Sequence, residues 1–458
     1  MKLDKIKVEG LYGTFNHEVD FKNEEKITIL IGQNGLGKTV ILRMIKCFFD
    51  QDFTELKSLY FKVFTLLFEN DYSVVISRIP KDEDFELEFQ HFSSGQSIDQ
   101  PFIHREVLSR RRFYRHQQTL FEKGFDSDLV YENEMDYLIE KFLPEPLRRM
   151  GPGIWFDPRR RREYTSYEII ERFKEYFPPE ILEKLQYPSW IKSATESIKV
   201  RIIEAQRLLN RIKAEDGKYK SAVVEFSQEI LDKIKTLRAL ASDLASRLDR
   251  TYPKRLLQEI RNQEEITSFQ ITRSLEELEA KRKVLNDVGL IDTEEEYIQP
   301  YISYIEENII RNVLMLYIHD SNAKLKIYDD LERRLSLFLK IVNKRFLHKE
   351  FKVDKERGFK FSSTANNNDI PLTGLSSGEQ HELVLFYQLI FNTSSNSLLL
   401  IDEPEISLHI SWQKQFIDDL KEVIKLNNMD ILIATHSPDI IGNYWHLAIQ
   451  LEGSNFYQ

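Results

Sequence analysis

The stretch that most constrains this chain is IGQNGLGKTVILRM, Ile31 to Met44. An apolar run, KITILI, turns through Gly32, Gln33, Asn34, Gly35, Leu36 and Gly37 into Lys38 and Thr39, and an amphipathic pattern follows in which Val40, Ile41, Met44 and Ile45 can pack. The spacing G-x-x-x-x-G-K-[ST] between a strand and a helix is the setting in which backbone closes around phosphate. Glycines let the loop curl with its N–H groups inward, and the positive end of the next helix adds to them. Lys38 is then expected to reach terminal phosphates, and the Thr39 hydroxyl to hold Mg²⁺. By itself the motif fixes a phosphate loop and leaves many α/β folds open.

Composition narrows the setting. With 458 residues, 41% of them hydrophobic and 30% charged, the chain can build two or three folded domains with a substantial core. No leader-like amino end and no uncharged apolar run near 18 residues is seen, so a soluble cytoplasmic protein without a membrane partner is expected. Cys47 is the single cysteine, which excludes an internal disulfide framework and suits a reducing compartment. A net charge of −10 argues against a chain coated in nucleic acid but leaves room for local basic surfaces.

In chain order, KLDKIKVEGLYGTFNHEVDF suggests two short strands before the phosphate-loop strand. LYFKVFTLLFEN and YSVVISRI read as an antiparallel pair around Asn70-Asp71, and FELEFQHF adds a further strand. From about Pro101 the pattern turns helical and basic. Arg110, Arg111, Arg112 and Arg115 form one cluster, and Arg148, Arg149 and Arg159 to Arg162 another, interleaved with Phe113, Tyr114, Trp155 and Tyr164. Such a mixture suits phosphate contact with base stacking, docking of an acidic protein, or a plain solvated surface. Residues 191–284 then read as the longest helical segment, including VRIIEAQRLLNRI. The best internal break is at Asp249 to Pro253, giving a helical hairpin or short antiparallel coiled coil, or alternatively a compact bundle. Helices over 295–347 and a strand unit at FKVDKERGFKFSST follow.

The chemistry returns at LSSGEQ, Leu375 to Gln380. Ser376, Ser377, the Gly378 N–H and Glu379 open a helix whose amino end offers donors to phosphate. Because Lys38 and Thr39 already cradle the same phosphates, this second surface is best placed across a dimer interface. SLLLIDEPEISLH is a buried strand ending in Asp402, fit to orient Mg²⁺, and Glu403, fit to take a proton from attacking water. DILIATHSP ends another strand in His436, which can donate to the transferred phosphate. His409 is a candidate for an interface and His381 for ordinary helix surface, and the histidines and lone cysteine show no metal-ligand spacing.

The order of these motifs resembles the ABC-type ATPase heads of the SMC, RecF and OLD-like class. GQNGLGKT is similar to the Walker A motif, LSSGEQ to the signature, LLLIDEP to the Walker B, EISLH to the D-loop, and THS carries the switch histidine. The likeness covers roughly residues 1–95 and 355–450. It implies an α/β P-loop head with a mixed sheet plus an antiparallel subdomain, in two halves (1–95 and 351–458) split by a helical insertion (96–350). It further implies ATP and Mg²⁺ as cofactors, and a homo-oligomer, a hexamer being one option, in which ATP is sandwiched between Lys38, Thr39, Asp402, Glu403 and His436 of one head and Ser377 and Gly378 of the other. A Q-loop glutamine that would assist Mg²⁺ is matched best by Gln90, in a weak context. Ser377 and Glu379 stand where glycine and glutamine are commoner.

The LYGTF opening, the compact head and the LSSGEQHELVLFYQLIF and DILIATHSPDIIGNYW segments are similar to the AAA family ATPases of bacterial anti-phage systems, those of PARIS first and Septu next. That resemblance implies a sensor and scaffold that controls a separate nuclease effector, of TOPRIM or HNH type, with a phage-derived trigger protein and nucleic acid as further partners. Only 22 residues follow His436, so any nuclease is expected to act in trans. The other functional classes that fit are a RecF-like DNA repair ATPase, a nucleotide-locked scaffold, and, least of all, a transporter ATPase.

Overall fold

The computed structural model describes residues 1–21, 24–81, 84–104, short stretches between 139 and 177, 187–204, 211–213, 219–261, 266–292, 308–406 and 408–453. The chain forms two compact units. One takes residues 1–22, 43–198 and 452–458, the other 23–42 and 199–451.

The first unit is built on an antiparallel sheet of β1 (Leu3–Leu11), β2 (Phe15–Asp20), β4 (Val63–Phe68), β5 (Tyr72–Lys81), β6 (Asp84–Ser93), β7 (Gln96–Ser97) and β8 (Phe102–His104), in the order β2-β1-β4-β5-β6-β7 with β8 also on β6. The expected pair around Asn70-Asp71 is the β4–β5 hairpin. Its strands run in register from Phe68 opposite Tyr72 to Val63 opposite Ser77, and Asn70 (φ 64°) and Asp71 (φ 54°) take the left-handed turn that these residue types tolerate. Strict alternation in β4 puts Phe64, Leu66 and Phe68 on the buried face. The aromatic rings of Phe48, Phe49, Phe53, Phe68 and Phe89 meet there, supplied partly by α1 (Lys38–Phe49) and α2 (Phe53–Ser58). Cys47 lies buried among them, and burial pushes its thiol up to about 12, so it is a packed residue rather than a reactive one. A small sheet of β9 (Arg148–Gly151), β10 (Ile154–Asp157) and β11 (Arg162–Thr165) closes over Ile139, Ile169 and Phe177, and α3 (Ser189–Thr195) follows.

The second unit carries a five-stranded sheet, order β12-β18-β19-β3-β20: Lys199–Glu204, Ser397–Asp402, Asp430–Ala434, Ile27–Ile31 and Ala448–Gln450. Every neighbouring pair is parallel, so all five carboxyl ends leave from one edge. All six residues of β18 are buried, as the unbroken apolar run SLLLI implies for a strand covered on both faces. Around the sheet pack α4 (Ala222–Arg261), α7 (Asp329–Arg345), α8 (Ser377–Phe391) and α10 (Phe416–Asn427), joined in one core by Phe226, Ile230, Phe338, Tyr387 and Phe416. Helix α8 is apolar nearly all round, with Leu383 to Tyr387, Leu389 and Ile390 buried. Two small sheets complete the described strands: β13 (Arg211–Lys213) with β14 (Tyr219–Ser221), and β15 (Lys349–Asp354), β16 (Gly358–Ser363) and β17 (Asp369–Ile370). No described helix is long and apolar enough to cross a membrane.

The region between the motifs departs from the sequence expectation in three ways. First, VRIIEAQRLLNRI is not helical where it is described: Lys199–Glu204 is β12, bonded along its length to β18, and Arg211–Lys213 is a strand. Apolar spacing there fits a helix as well as a strand, and the ladder offered by β18 decides between them. Second, no break falls at Asp249–Pro253. Helix α4 runs through Pro253, whose side is exposed, and ends at Arg261. The next helix, α5 (Ser268–Asp287), starts at a capping box, Thr267 with Gln270. Third, α6 (Asn308–Lys326) is the helix against which both α4 and α5 pack. Arg255 of α4 binds Asp320 at 2.5 and 2.7 Å, Arg282 of α5 donates to Tyr317 at 3.0 Å, and Ile271, Leu278 and Ile318 share a small core. A bundle of this kind is closer to the second of the two helical arrangements than to a two-helix hairpin.

Candidate nucleotide site

In open α/β proteins ligands sit at the edge of the parallel sheet, beyond the carboxyl ends of its strands. Three of these ends carry the motifs. Strand β3 delivers Gly32 to Thr39, β18 delivers Asp402 and Glu403, and β19 delivers Thr435 and His436. The loop after β3 needs its glycines. Gly35 and Gly37 hold φ of 88° and 92°, and a Cβ on Gly32 would lie 3.0 Å from Leu36 Cδ1 and 3.2 Å from the Leu451 carbonyl. Helix α1 then opens at Lys38, with the Ile41 N–H on the Gly37 carbonyl.

Lys38 is only 5% exposed. Its Nζ donates to the Gly32 and Gln33 carbonyls at 2.9 and 3.3 Å and lies 3.3 Å from His436 Nδ1. Burial lowers its pKa, against the pull of Glu403, Asp402 and Glu405. Thr39 Oγ1 donates to Asp402 Oδ1 at 3.0 Å. Asp402 is pushed up to about 6, first by burial, with the Thr39 hydrogen bond opposing and Glu403, Glu204 and Glu405 adding to the rise. Glu403 has φ 47°, a left-handed turn uncommon for its residue type, fixed by its N–H on the Ala434 carbonyl at 2.8 Å. Its Oε1 lies 3.7 Å from His436 Nε2, so the histidine stands between the lysine and the glutamate. Five of the sequence candidates, Lys38, Thr39, Asp402, Glu403 and His436, are thus brought together, with Gly32 and Gln33 in direct contact through their carbonyls.

These residues fit a Mg²⁺–nucleotide. A threonine hydroxyl beside a buried carboxylate whose charge is disfavoured, next to a desolvated lysine at a helix amino end, is a donor set that a hard cation and phosphate oxygens would complete. Among the described residues no group of three or more His, Cys, Asp or Glu is arranged to hold a metal ion.

Ser376, Ser377, Gly378 and Glu379 lie at the amino end of α8. Ser376 caps it in a box with Glu379, whose carboxylate also binds Lys349 at 2.6 and 2.7 Å. Burial works to raise the Glu379 pKa, yet the bonds from Lys349 and Ser376 hold it lowered. Ser376 and Ser377 are exposed, and a Cβ on Gly378 would meet nothing within 4 Å, so this helix end is open to an incoming ligand. The serine and glycine of the motif therefore face outward while its glutamate serves the fold.

Other candidates fall elsewhere. Gln90 sits inside β6 opposite Val75, in the antiparallel unit, and its amide donates to Glu88 at 3.2 Å. It is a strand residue with a local partner rather than the residue of a loop at a strand end. Trp155 and Tyr164 are a cross-strand pair of β10 and β11, 2% and 6% exposed, so they form core and cannot stack on bases. Arg148 and Arg149 are exposed on β9, and the cluster Arg110 to Arg115 lies outside the described residues. His409 caps α9 (Ile410–Gln413) from an exposed position, accepting from the Ser411 N–H, and the His381 pKa is lowered by burial.

Two acidic residues escaped the sequence reading. Glu204 ends β12 opposite Asp402, concealed by the helical reading of that segment. Glu405 was hidden inside the motif DEPE. Its carboxylate accepts from Thr435 Oγ1 at 2.8 Å and from the His436 N–H at 2.7 Å.

Residues 1–441 match the family described as AAA ATPase domain. No curated protein matches the chain. Solved structures similar to it include the Smc head domain of Pyrococcus furiosus with an extended coiled coil bound to the C-terminal domain of ScpA, at 14% identity over 96% of this chain and 91% of that one, TM-score 0.35. Others are an SmcHead bound to the C-winged helix domain of ScpA (11%, 96% and 91%, 0.33) and the SMC head domain from Thermotoga maritima (11%, 98% and 92%, 0.31). Likeness at this level is distant.

Proposed function

Since the chain belongs to the AAA ATPase domain family, we propose that it binds ATP with Mg²⁺ and hydrolyses it, and that the nucleotide state is its output signal. The observation that carries this reading is the gathering of Lys38, Thr39, Asp402, Glu403 and His436 beyond one edge of one parallel sheet. The loop N–H groups and Lys38 bind the phosphates, and Thr39 and Asp402 are the residues that would hold Mg²⁺, which when bound neutralises charge on the phosphate oxygens. Glu403 takes the proton of the attacking water. His436, between Lys38 and Glu403, donates to the phosphate being released.

The outward-facing end of α8 supports pairing of two heads, with Ser377 and Gly378 of one completing the site of the other. The exposed Ile406 (54%) and Ile410 (65%), close in sequence to Glu403, offer apolar surface for the same contact. At a finer level we propose the role that the sequence likeness to PARIS and Septu ATPases suggests: a sensor subunit of an anti-phage system that restrains a separate nuclease. The adjacent gene and co-purification from infected cells test that role, and a neighbour encoding no nuclease together with no captured effector would end it.

Glu403→Gln should keep ATP binding and lower turnover by roughly 100-fold or more, the scale of a lost general base. Lys38→Ala should weaken ATP binding itself. Both variants hydrolysing ATP at the parental rate would sink the site assignment.

A further inference from the structure

The segment 404–413 and the loop after β19 are laced together by side chains that no motif assigns a task. Glu405 holds the Thr435 hydroxyl at 2.8 Å and the His436 N–H at 2.7 Å, and Thr435 Oγ1 in turn accepts from the Ser437 N–H at 3.0 Å. A second tie runs alongside. Gln413, 8% exposed, donates to the Glu405 and Leu408 carbonyls at 3.3 and 3.1 Å and accepts from Ser437 Oγ at 2.6 Å. Thr435 is fully buried while the His436 side chain is 31% exposed, so the histidine projects from an anchored base. The ring reaches Lys38 Nζ and Glu403 Oε1 at 3.3 and 3.7 Å.

We infer that Glu405 is the positioning residue for His436: its carboxylate fixes the backbone on which the imidazole stands between Lys38 and Glu403. A carboxylate accepting from a backbone N–H and a hydroxyl makes two charge-assisted bonds, the strong kind, and it does so at the residue that must meet the transferred phosphate. Because Glu405 stands two residues after Glu403 and next to the exposed Ile406, the same clamp ties the histidine to the stretch of chain proposed to face a second head. The inference rests on the ATP-hydrolysis reading above.

The test is a cycle of Glu405→Ala, His436→Ala and the double variant in the full chain, read by steady-state ATP hydrolysis. Glu405→Ala is expected to lower kcat by about tenfold or more, the scale of a misplaced catalytic group, with KM for ATP within about twofold. In the His436→Ala background it should cost nothing further. Glu405→Gln keeps one acceptor for the His436 N–H and should recover much of the rate that alanine loses. Equal losses in both backgrounds, or KM rising in step with the fall in kcat, would overturn the inference. If the parental chain hydrolyses no ATP, the hydrolysis reading fails separately. The clamp is then read from the His436 ring signals in NMR, assigned by their loss in His436→Ala: they shift in Glu405→Ala if Glu405 positions the ring, and stay put if it does not.

Discussion

Arg345 of α7 sits 4% exposed between Glu382 of α8 and Asp419 of α10. Its guanidinium donates to Glu382 at 2.6 Å and to Asp419, and lies 4.4 Å from the centre of the Phe386 ring. One cation facing two buried carboxylates leaves a surplus negative charge in the core, unless one carboxylate stays protonated. Burial raises both carboxylates, and Glu382, the more deeply buried, is the one expected to keep its proton. It is fully buried and pushed up to about 8 by burial, with Arg345 pulling the other way, and its Oε2 has no hydrogen-bond partner. The neutral arrangement is then Arg345⁺ with Asp419⁻ and an uncharged Glu382 at pH 7. Arg345→Met leaves a buried carboxylate without its cation and should destabilise the unit by roughly 3–5 kcal/mol. Glu382→Gln replaces a neutral acid by a neutral amide of the same shape and should cost roughly 1 kcal/mol or less near pH 4.5, and nothing at pH 7, where ionisation of the acid in the unfolded chain already disfavours the parental fold. The sign with pH follows from the raised value. The favourable contribution of Glu382 is complete below about 4.5 and is lost as pH rises through about 8, by on the order of 5 kcal/mol at the ceiling. Urea denaturation at pH 5.5 and 8.5, followed by circular dichroism, should therefore show Glu382→Gln gaining on the parental chain as pH rises. If Glu382→Gln costs as much as Arg345→Met at pH 7, and the gap does not change with pH, Glu382 is ionised and the reasoning fails.

Two further outcomes are expected. Asp402 is pushed up to about 6 beside Thr39, so Mg²⁺ affinity in the presence of nucleotide should fall as pH drops through 6, as the carboxyl takes a proton; titration calorimetry at pH 5.5 and 7.5 checks this, and equal affinities would contradict it. Pro253→Ala in the exposed face of α4 should stabilise the helix by up to about 3 kcal/mol by restoring the N–H that proline lacks, seen as a higher midpoint in thermal melts; an unchanged midpoint would mean that the helix gains nothing there.

The parts of the site that were legible in sequence share a physical property: their chemistry is local. Gly32 to Thr39 folds onto its own helix, and a run such as SLLLI can only be a covered strand, so the residues at its end, Asp402 and Glu403, are placed by the run itself. His436 follows by the same logic from DILIA. What stayed hidden depends on partners distant in the chain. Strand β12 is a strand because β18 offers it a ladder, and the same residues read in isolation carry a helical spacing equally well. Glu204 went unnoticed with it, although the register sets it directly opposite Asp402. The start of α5 is a different case: Thr267, Ser268, Phe269 and Gln270 spell a capping box, a local signal for a helix start, whereas Pro253, which suggests a break, lies at an exposed position where the helix tolerates it. Glu405 lies between these cases. It stands two residues from Glu403, yet nothing in DEPE says that its carboxylate turns to Thr435 and His436, 30 and 31 residues onward. That contact exists because β18 and β19 are parallel neighbours ending at the same edge, which makes the residues beyond one strand the natural support for those beyond the next.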